Sequence, residues 1–188
     1  MESHRAHAAD TGSTPRERKR PPNWHEDYLR YREPLIRTAA WTRDHAYSYR
    51  DFKVGCVLMT IDPGVEPGEY RVYNAYNYKD APGERFGNEK RCAERNVIEA
   101  AAQFGATDIL AIVTVSKEKS TGDETLSHDA LHPCRDCRDL MRMIITAGKM
   151  TKDSIICNVN DANPELVIEE RAVGDLLDAY KKIDGLAA

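Results

Sequence analysis

Four residues carry the chemistry for which this sequence can be read: Cys92 and Glu94 in RCAERNVIEAAAQFGA, and Cys134 and Cys137 in HPCRDCRDL. Each segment opens an apolar pattern of helical period. The cysteines therefore stand at helix N-termini, where free N–H groups and the helix dipole favour thiolate over thiol. Cysteines three apart can face one side of a helix's first turn. Three thiolates suit zinc, which takes four tetrahedral ligands and, in catalytic sites, keeps the fourth position for water. Glu94 lies about 200° around the helix from Cys92 and is poorly placed to share its metal. At a helix start it can still reach the open position and move the proton of a water activated there. Taken singly, Cys-x-x-Cys also fits a redox pair or half a structural zinc clip. His132, two residues before Cys134, could close the site as a fourth ligand, although a histidine before a Pro-Cys turn reads more readily as solvated. The ordered combination, split by a buried strand, points to catalytic zinc. Cys56 and Cys157 fall inside apolar strands and read as small core residues.

The elements that must position these residues follow from the hydrophobic pattern. Leu35, Ile36, Ala39, Ala40 and Ala46 predict a helix with Pro34 in its first turn, where a missing N–H does no harm. FKVGCVLMTI and YRVYNAYNY predict two adjacent strands forming a hairpin. A helix over about 92–103 leads to DILAIVTVS, a continuous apolar run typical of a central strand. The segment CRDCRDLMRMIITAG is helical, SIICNVN a strand, and AVGDLLDAYKKI a closing helix. The order α-β-β-α-β-α-β-α predicts an α/β fold, a three-layer α/β/α sandwich around a mixed sheet. Two parallel βα units would bring the cysteine-bearing helix starts to one edge of that sheet.

Composition bounds the function class. A chain of 188 residues, 41% hydrophobic, can build one core without help from disulfides or metal. A formal net charge of −4 does not suit gripping a phosphate backbone, so no nucleic-acid partner is expected. With no run of 18 apolar residues and no signal-peptide segment, the expectation is a cytoplasmic protein without a membrane partner. Its five cysteines are then reduced thiols. Residues 1–24 are polar, carry the basic run RERKR, and read as a disordered tail ahead of a single domain over 25–188.

CAE and PCRDC together resemble the signature of the zinc-dependent cytidine deaminases: a zinc ligand, any residue, glutamate, and later Pro-Cys-x-x-Cys. Cysteine as the first ligand resembles the small, usually homotetrameric deaminases of free nucleosides. AYSYRDFKVGCVLMT is similar to that family's AYxPYSxFxVGAALLT, CAERNVIEAA to its CAERTAI helix, and ELVIEERAVGDLLDAY to its C-terminal VEELLP region, so the resemblance spans roughly residues 35–180. It implies a cytidine-deaminase-like fold and one Zn²⁺ per chain on Cys92, Cys134 and Cys137, with Glu94 as general acid/base. It also implies a homotetramer in which neighbours complete each pocket. Phe52, Asn74, Tyr76 and Ala93 would contact the substrate, Phe52 beside the base and Asn74 at the ribose. Arg95 would hydrogen-bond the sulfurs and offset the net −1 of a zinc with three thiolates, with Arg138 assisting.

The reaction so implied is hydrolytic deamination of a cytidine- or deoxycytidine-like aminopyrimidine nucleoside, releasing ammonia. Blasticidin-type deaminases suggest an alternative, a modified or non-nucleoside amino-heterocycle. A non-catalytic zinc-stabilised binding protein is the remote alternative, and it would have no use for Glu94. The family's N-x-E-N segment stands here as NAYN, with Tyr76 in place of the glutamate, from which weak discrimination for ribose is expected. Fourteen residues separate Asn77 from Cys92, and KEKSTGDETLSHDALH precedes Pro133. Both segments are long and both end at a ligand.

Overall fold

The computed structural model describes residues 20–48, 51–66, 68–80, 90–118, 129–162 and 166–186. Helix α1 (Trp24–Asp44) leads through β1 (Tyr47–Ser48) to the hairpin of β2 (Val54–Ile61) and β3 (Arg71–Tyr76). The short strands β4 (Tyr78–Lys79) and β5 (Lys90–Arg91) precede α2 (Ala93–Gln103) and β6 (Asp108–Ser116). Then come α3 (Arg135–Thr146), β7 (Met150–Asn160), β8 (Val167–Ala172) and α4 (Val173–Ala179). Five strands form a mixed sheet in the order β3-β2-β6-β7-β8, in which β6 and β7 pair in parallel and the other neighbours are antiparallel.

Alternation along the fully buried β2 divides the core. Cys56 and Leu58 join α2, α3 and α4 on one face, while Val57, Met59 and Ile61 join α1 on the other. The three-layer reading holds, and Cys56 and Cys157 are core residues, both wholly buried. Helix α1 crosses β2 closely at Gly55, where an added Cβ would lie 2.0 Å from the Ala39 carbonyl oxygen.

Three expectations need correction. Helix α1 starts at Trp24, ten residues before Pro34, which lies in its interior. Interior proline costs about 3 kcal/mol, but the early turns are anchored. Tyr28 is fully buried and donates to Glu170 at 2.6 Å, and Tyr70 donates to Asp27 at 2.6 Å. The tail reading also ends too late: Arg20 bonds Asp108 through Nε at 2.6 Å and Nη2 at 2.7 Å. Residues 1–19, including most of RERKR, lie outside the described residues. Lastly, VIEERA, for which the pattern predicts no element, forms the edge strand β8.

Strands β3 and β6 run the same way, since each is antiparallel to β2. The connections β3-α2-β6 and β6-α3-β7 therefore start both helices at the same end of the sheet. That end holds the chemistry.

Candidate active site

Cys92 and Cys134 are the N-cap residues of α2 and α3, both in extended conformation (ψ 148° and 168°), and Cys137 sits in the first turn of α3. The Cys134 sulfur is 3.5 Å from that of Cys92 and 3.5 Å from that of Cys137. All three lie within 4.8 Å of one another. A tetrahedral zinc with Zn–S bonds of about 2.3 Å places its sulfurs about 3.8 Å apart, so the cluster fits that ion with little adjustment. Thiol donation from Cys137 and then Cys92 holds the Cys134 sulfur well below the usual thiol range. The cluster thus already favours a thiolate.

Glu94 is buried beside the sulfurs, within hydrogen-bonding reach of Cys137, and burial pushes its carboxyl up to about 7. It lines a cavity of about 260 Å³ together with Phe52, Val54, Ala93, Cys92, Cys134 and Leu131. A larger groove of about 440 Å³ runs between α1 and β3, among Tyr31, Leu35 and Tyr70, but it contains neither the cysteines nor Glu94. The chemistry belongs to the smaller cavity.

The structure brings Cys92, Ala93, Glu94, Cys134, Cys137 and Phe52 together, but not Asn74 or Tyr76. Cross-strand partners share a face, and Asn74 pairs with Val57 and Tyr76 with Gly55, so both side chains lie on the α1 side of β3. Asn74 donates to the Thr42 hydroxyl on α1 at 2.9 Å. Tyr76 is 40% exposed and outside the cavity wall. Of the two asparagines in NAYN it is the second that lines the cavity: Asn77 accepts from Val54 N and donates to the Phe52 carbonyl, each at 2.7 Å. Those bonds end β3 and turn the chain out into β4. Two asparagines three apart offered no means of choosing between them; only the strand end does.

Arg95 is half-buried on the outer side of Cys92, lining a separate cavity with Lys90, Glu99 and Asp136. No hydrogen bond among the described residues ties it to a sulfur. Arg138 is committed elsewhere: it holds both carboxylate oxygens of Asp184, donates to the Pro133 carbonyl at 2.6 Å, and lies 3.9 Å over the Tyr180 ring. His132 is not solvated. It is buried, with Nε2 donating to Glu169 at 2.7 Å and Nδ1 paired with the Tyr180 hydroxyl at 2.9 Å, so neither nitrogen is open to a metal. Sequence reading also missed Tyr78, Lys79, Lys90 and Arg91 at the cavity mouth.

Residues 30–151 match the family described as the cytidine and deoxycytidylate deaminase zinc-binding region. Among solved structures, cytidine deaminase from Burkholderia pseudomallei is 25% identical, with a TM-score of 0.54 over 77% of this chain and 94% of that one. Cytidine deaminase from Mycobacterium tuberculosis is 22% identical, with a TM-score of 0.50 over 77% and 91% of the two chains, a likeness of fold. No curated protein matches the chain significantly.

Proposed function

The chain belongs to the cytidine and deoxycytidylate deaminase zinc-binding family and is a hydrolytic deaminase acting on C–N bonds; from that premise we propose that it deaminates a cytidine-like aminopyrimidine, with one zinc ion on Cys92, Cys134 and Cys137 and Glu94 as general acid/base. The observation that carries this reading is the buried carboxyl of Glu94 beside three clustered sulfurs, on the wall of a cavity also lined by Phe52. Zinc so held would supply Lewis-acid activation of water.

The chain's own residues do the rest. Phe52 offers a flat apolar surface for the base, and Asn77 fixes the Phe52 backbone through its carbonyl. Glu94 takes a proton from the attacking water as the new C–O bond forms at the amine-bearing ring carbon. It passes that proton to the ring nitrogen, then takes the remaining proton of the added hydroxyl and gives it to the amine, so that the carbonyl forms as the C–N bond breaks and ammonia leaves. Burial of the carboxyl, with water largely excluded around it, strengthens its interaction with charge developing on the ring. Among the described residues no helix is long and apolar enough to cross a membrane. We take the protein to work as a homotetramer, a reading supported by the resemblance and by exposed Leu29, Tyr31 and Trp41 on α1 and Val72 on β3.

Zinc content and ammonia release from cytidine and deoxycytidine test the function together. The expected result is one zinc per chain and turnover of at least one of these nucleosides. A metal-free protein, or zinc held by a fourth protein ligand, would overturn the catalytic reading.

A further inference from the structure

Residues 129–134 bring the chain to Cys134 without a helix or strand of their own, yet Ala130, His132 and Pro133 are buried, and Leu131 and His132 line the cavity. Buried backbone outside regular structure must find its hydrogen bonds among side chains or water. Asn160 donates to the Asp129 carbonyl at 2.8 Å, and Arg138 to that of Pro133 at 2.6 Å. Between these, Glu169 reaches over from β8. One of its carboxylate oxygens accepts from Ala130 N at 3.2 Å and the other from His132 Nε2 at 2.7 Å. With Nε2 donating, Nδ1 of the neutral ring can accept from the Tyr180 hydroxyl.

A carboxylate is costly to bury here. The Glu169 side chain is 9% exposed and that of His132 1%, and a charged group withdrawn from water needs hydrogen bonds in compensation. Its cross-strand partner Asn158 lies on the sheet face of Ile156, so Glu169 stands on the side of α2, α3 and α4. Asn158 is itself wholly buried and gives it no hydrogen bond, while Arg171 on the same strand approaches to 3.5 Å. Both shorter contacts go to the chain ahead of Cys134. They fall on Ala130 and His132, the two neighbours of Leu131, so the carboxylate works as a clip astride one residue of the cavity wall.

Resting on the deaminase reading, we propose that Glu169 is a positioning residue for the substrate base: together with the ring of His132 it sets how far the Leu131 wall stands into the cavity. Glu169 does not itself line the cavity, so it acts through Leu131. The clip is separate from the Asp184 network, which fastens the turn carrying Cys134 and Cys137 through Arg138 and Arg142. An apolar wall meets the base alike before and during the reaction, so displacing it weakens binding and leaves the chemical step nearly unchanged.

The experiment measures zinc content, kcat and KM for cytidine and deoxycytidine on the full-length zinc-loaded protein and on Glu169→Ala, Leu131→Ala and their double variant. Glu169→Ala should keep one zinc per chain and raise KM by about tenfold, equivalent to about 1.4 kcal/mol, with kcat changed by no more than about twofold. Glu169→Gln should recover most of the loss, because its carbonyl accepts from Ala130 N and its amide donates to Nε2 of the other histidine tautomer. Leu131→Ala should raise KM in the same way, and the double variant should be no worse than the worse single one, since both remove one wall. A clip serving stability alone would lower the active fraction, and with it apparent kcat, at unchanged KM. That result, or additive effects in the double variant, would overturn the proposal alone. Should Glu169→Ala fail to fold, Glu169→Asp, which keeps the charge but falls one methylene short, takes its place in the same cycle. No ammonia from either nucleoside with the unaltered protein would overturn the deaminase reading and the proposal with it.

Discussion

The two ends of the cavity are built differently. At the sulfur end, the turn carrying Cys134 and Cys137 is fastened to the C-terminal segment: Asp184 takes Arg138 and, at 2.7 Å, Arg142, its carbonyl accepts from Arg135 at 3.0 Å, and Tyr180 lies between Arg138 and His132. At the mouth, β1, β4 and β5 are two residues long each, and the buried polar anchors among the described residues include Asn77 and Asp80, the latter accepting from the Tyr78 hydroxyl. Metal ligands must be held within a fraction of an ångström, so rigidity there is functional. Substrate recognition at a mouth made of short strands can change without disturbing the chemistry. A fixed reaction behind an adjustable entrance is the division of labour that these two ends express.

The sharpest test of the sulfur end is removal of its acid/base group. Glu94→Gln should retain zinc and the fold while turnover falls by at least about 10²-fold, the scale of positioned proton transfer. Metal analysis and steady-state rates on the same preparation check this. Cys134→Ala should instead lose both zinc and turnover, separating the ligand role from the proton role.

The fastening predicts the next largest effect. Asp184 is 2% exposed and serves two arginines, and breaking such a buried pair from one side costs about 3–5 kcal/mol. Asp184→Asn should lower the denaturation midpoint accordingly and loosen zinc, read as faster loss to a chelator. Unchanged zinc retention would show that the C-terminal segment stabilises the fold without positioning the ligands.

The same residue predicts a pH effect. The hydrogen bond from Arg138 holds the Asp184 carboxyl below the usual aspartate range, aided by Arg142 against the opposing effect of burial. A depressed folded-state pKa contributes stability above the unfolded value of about 3.9, and the contribution is lost as pH falls through and below that value. The stability gap between the natural protein and Asp184→Asn should therefore be full near neutrality and narrow below about pH 5. A gap that is constant with pH would remove Asp184 ionisation from the account.

The same contrast governs what was legible in the sequence. Cys92, Glu94, Cys134 and Cys137 could be placed because local chemistry and the βα pattern agree: each helix start is marked by its own apolar period, and parallel strand direction brings the two starts together. The central strands were readable for the same reason. The mouth was not, because strands of two residues leave no periodicity. The bonds of Asn77 to Val54 and Phe52 span 23 and 25 residues, and no local pattern encodes them. Pro34 inside α1 and the strand β8 were missed through tertiary override, the first by packing of Tyr28 and the second by an edge pairing with β7.

The smallest expected effect tests the register at the mouth. NAYN allows either asparagine to face the substrate, and the two assignments differ by three residues, which on a strand exchanges the faces. With Tyr76 on the α1 side, Tyr76→Ala should change kcat/KM by no more than about twofold, on the scale of surface substitutions that stay within about 0.5 kcal/mol. Asn77→Ala should do far more. It leaves Val54 N and the Phe52 carbonyl without buried partners, a cost of about 1–3 kcal/mol for each such group, and it frees the ring against which the base packs. A tenfold loss in Tyr76→Ala with Asn77→Ala near normal would reverse the assignment. A tenfold loss in both would mean that the α1 side of β3 also meets a substrate.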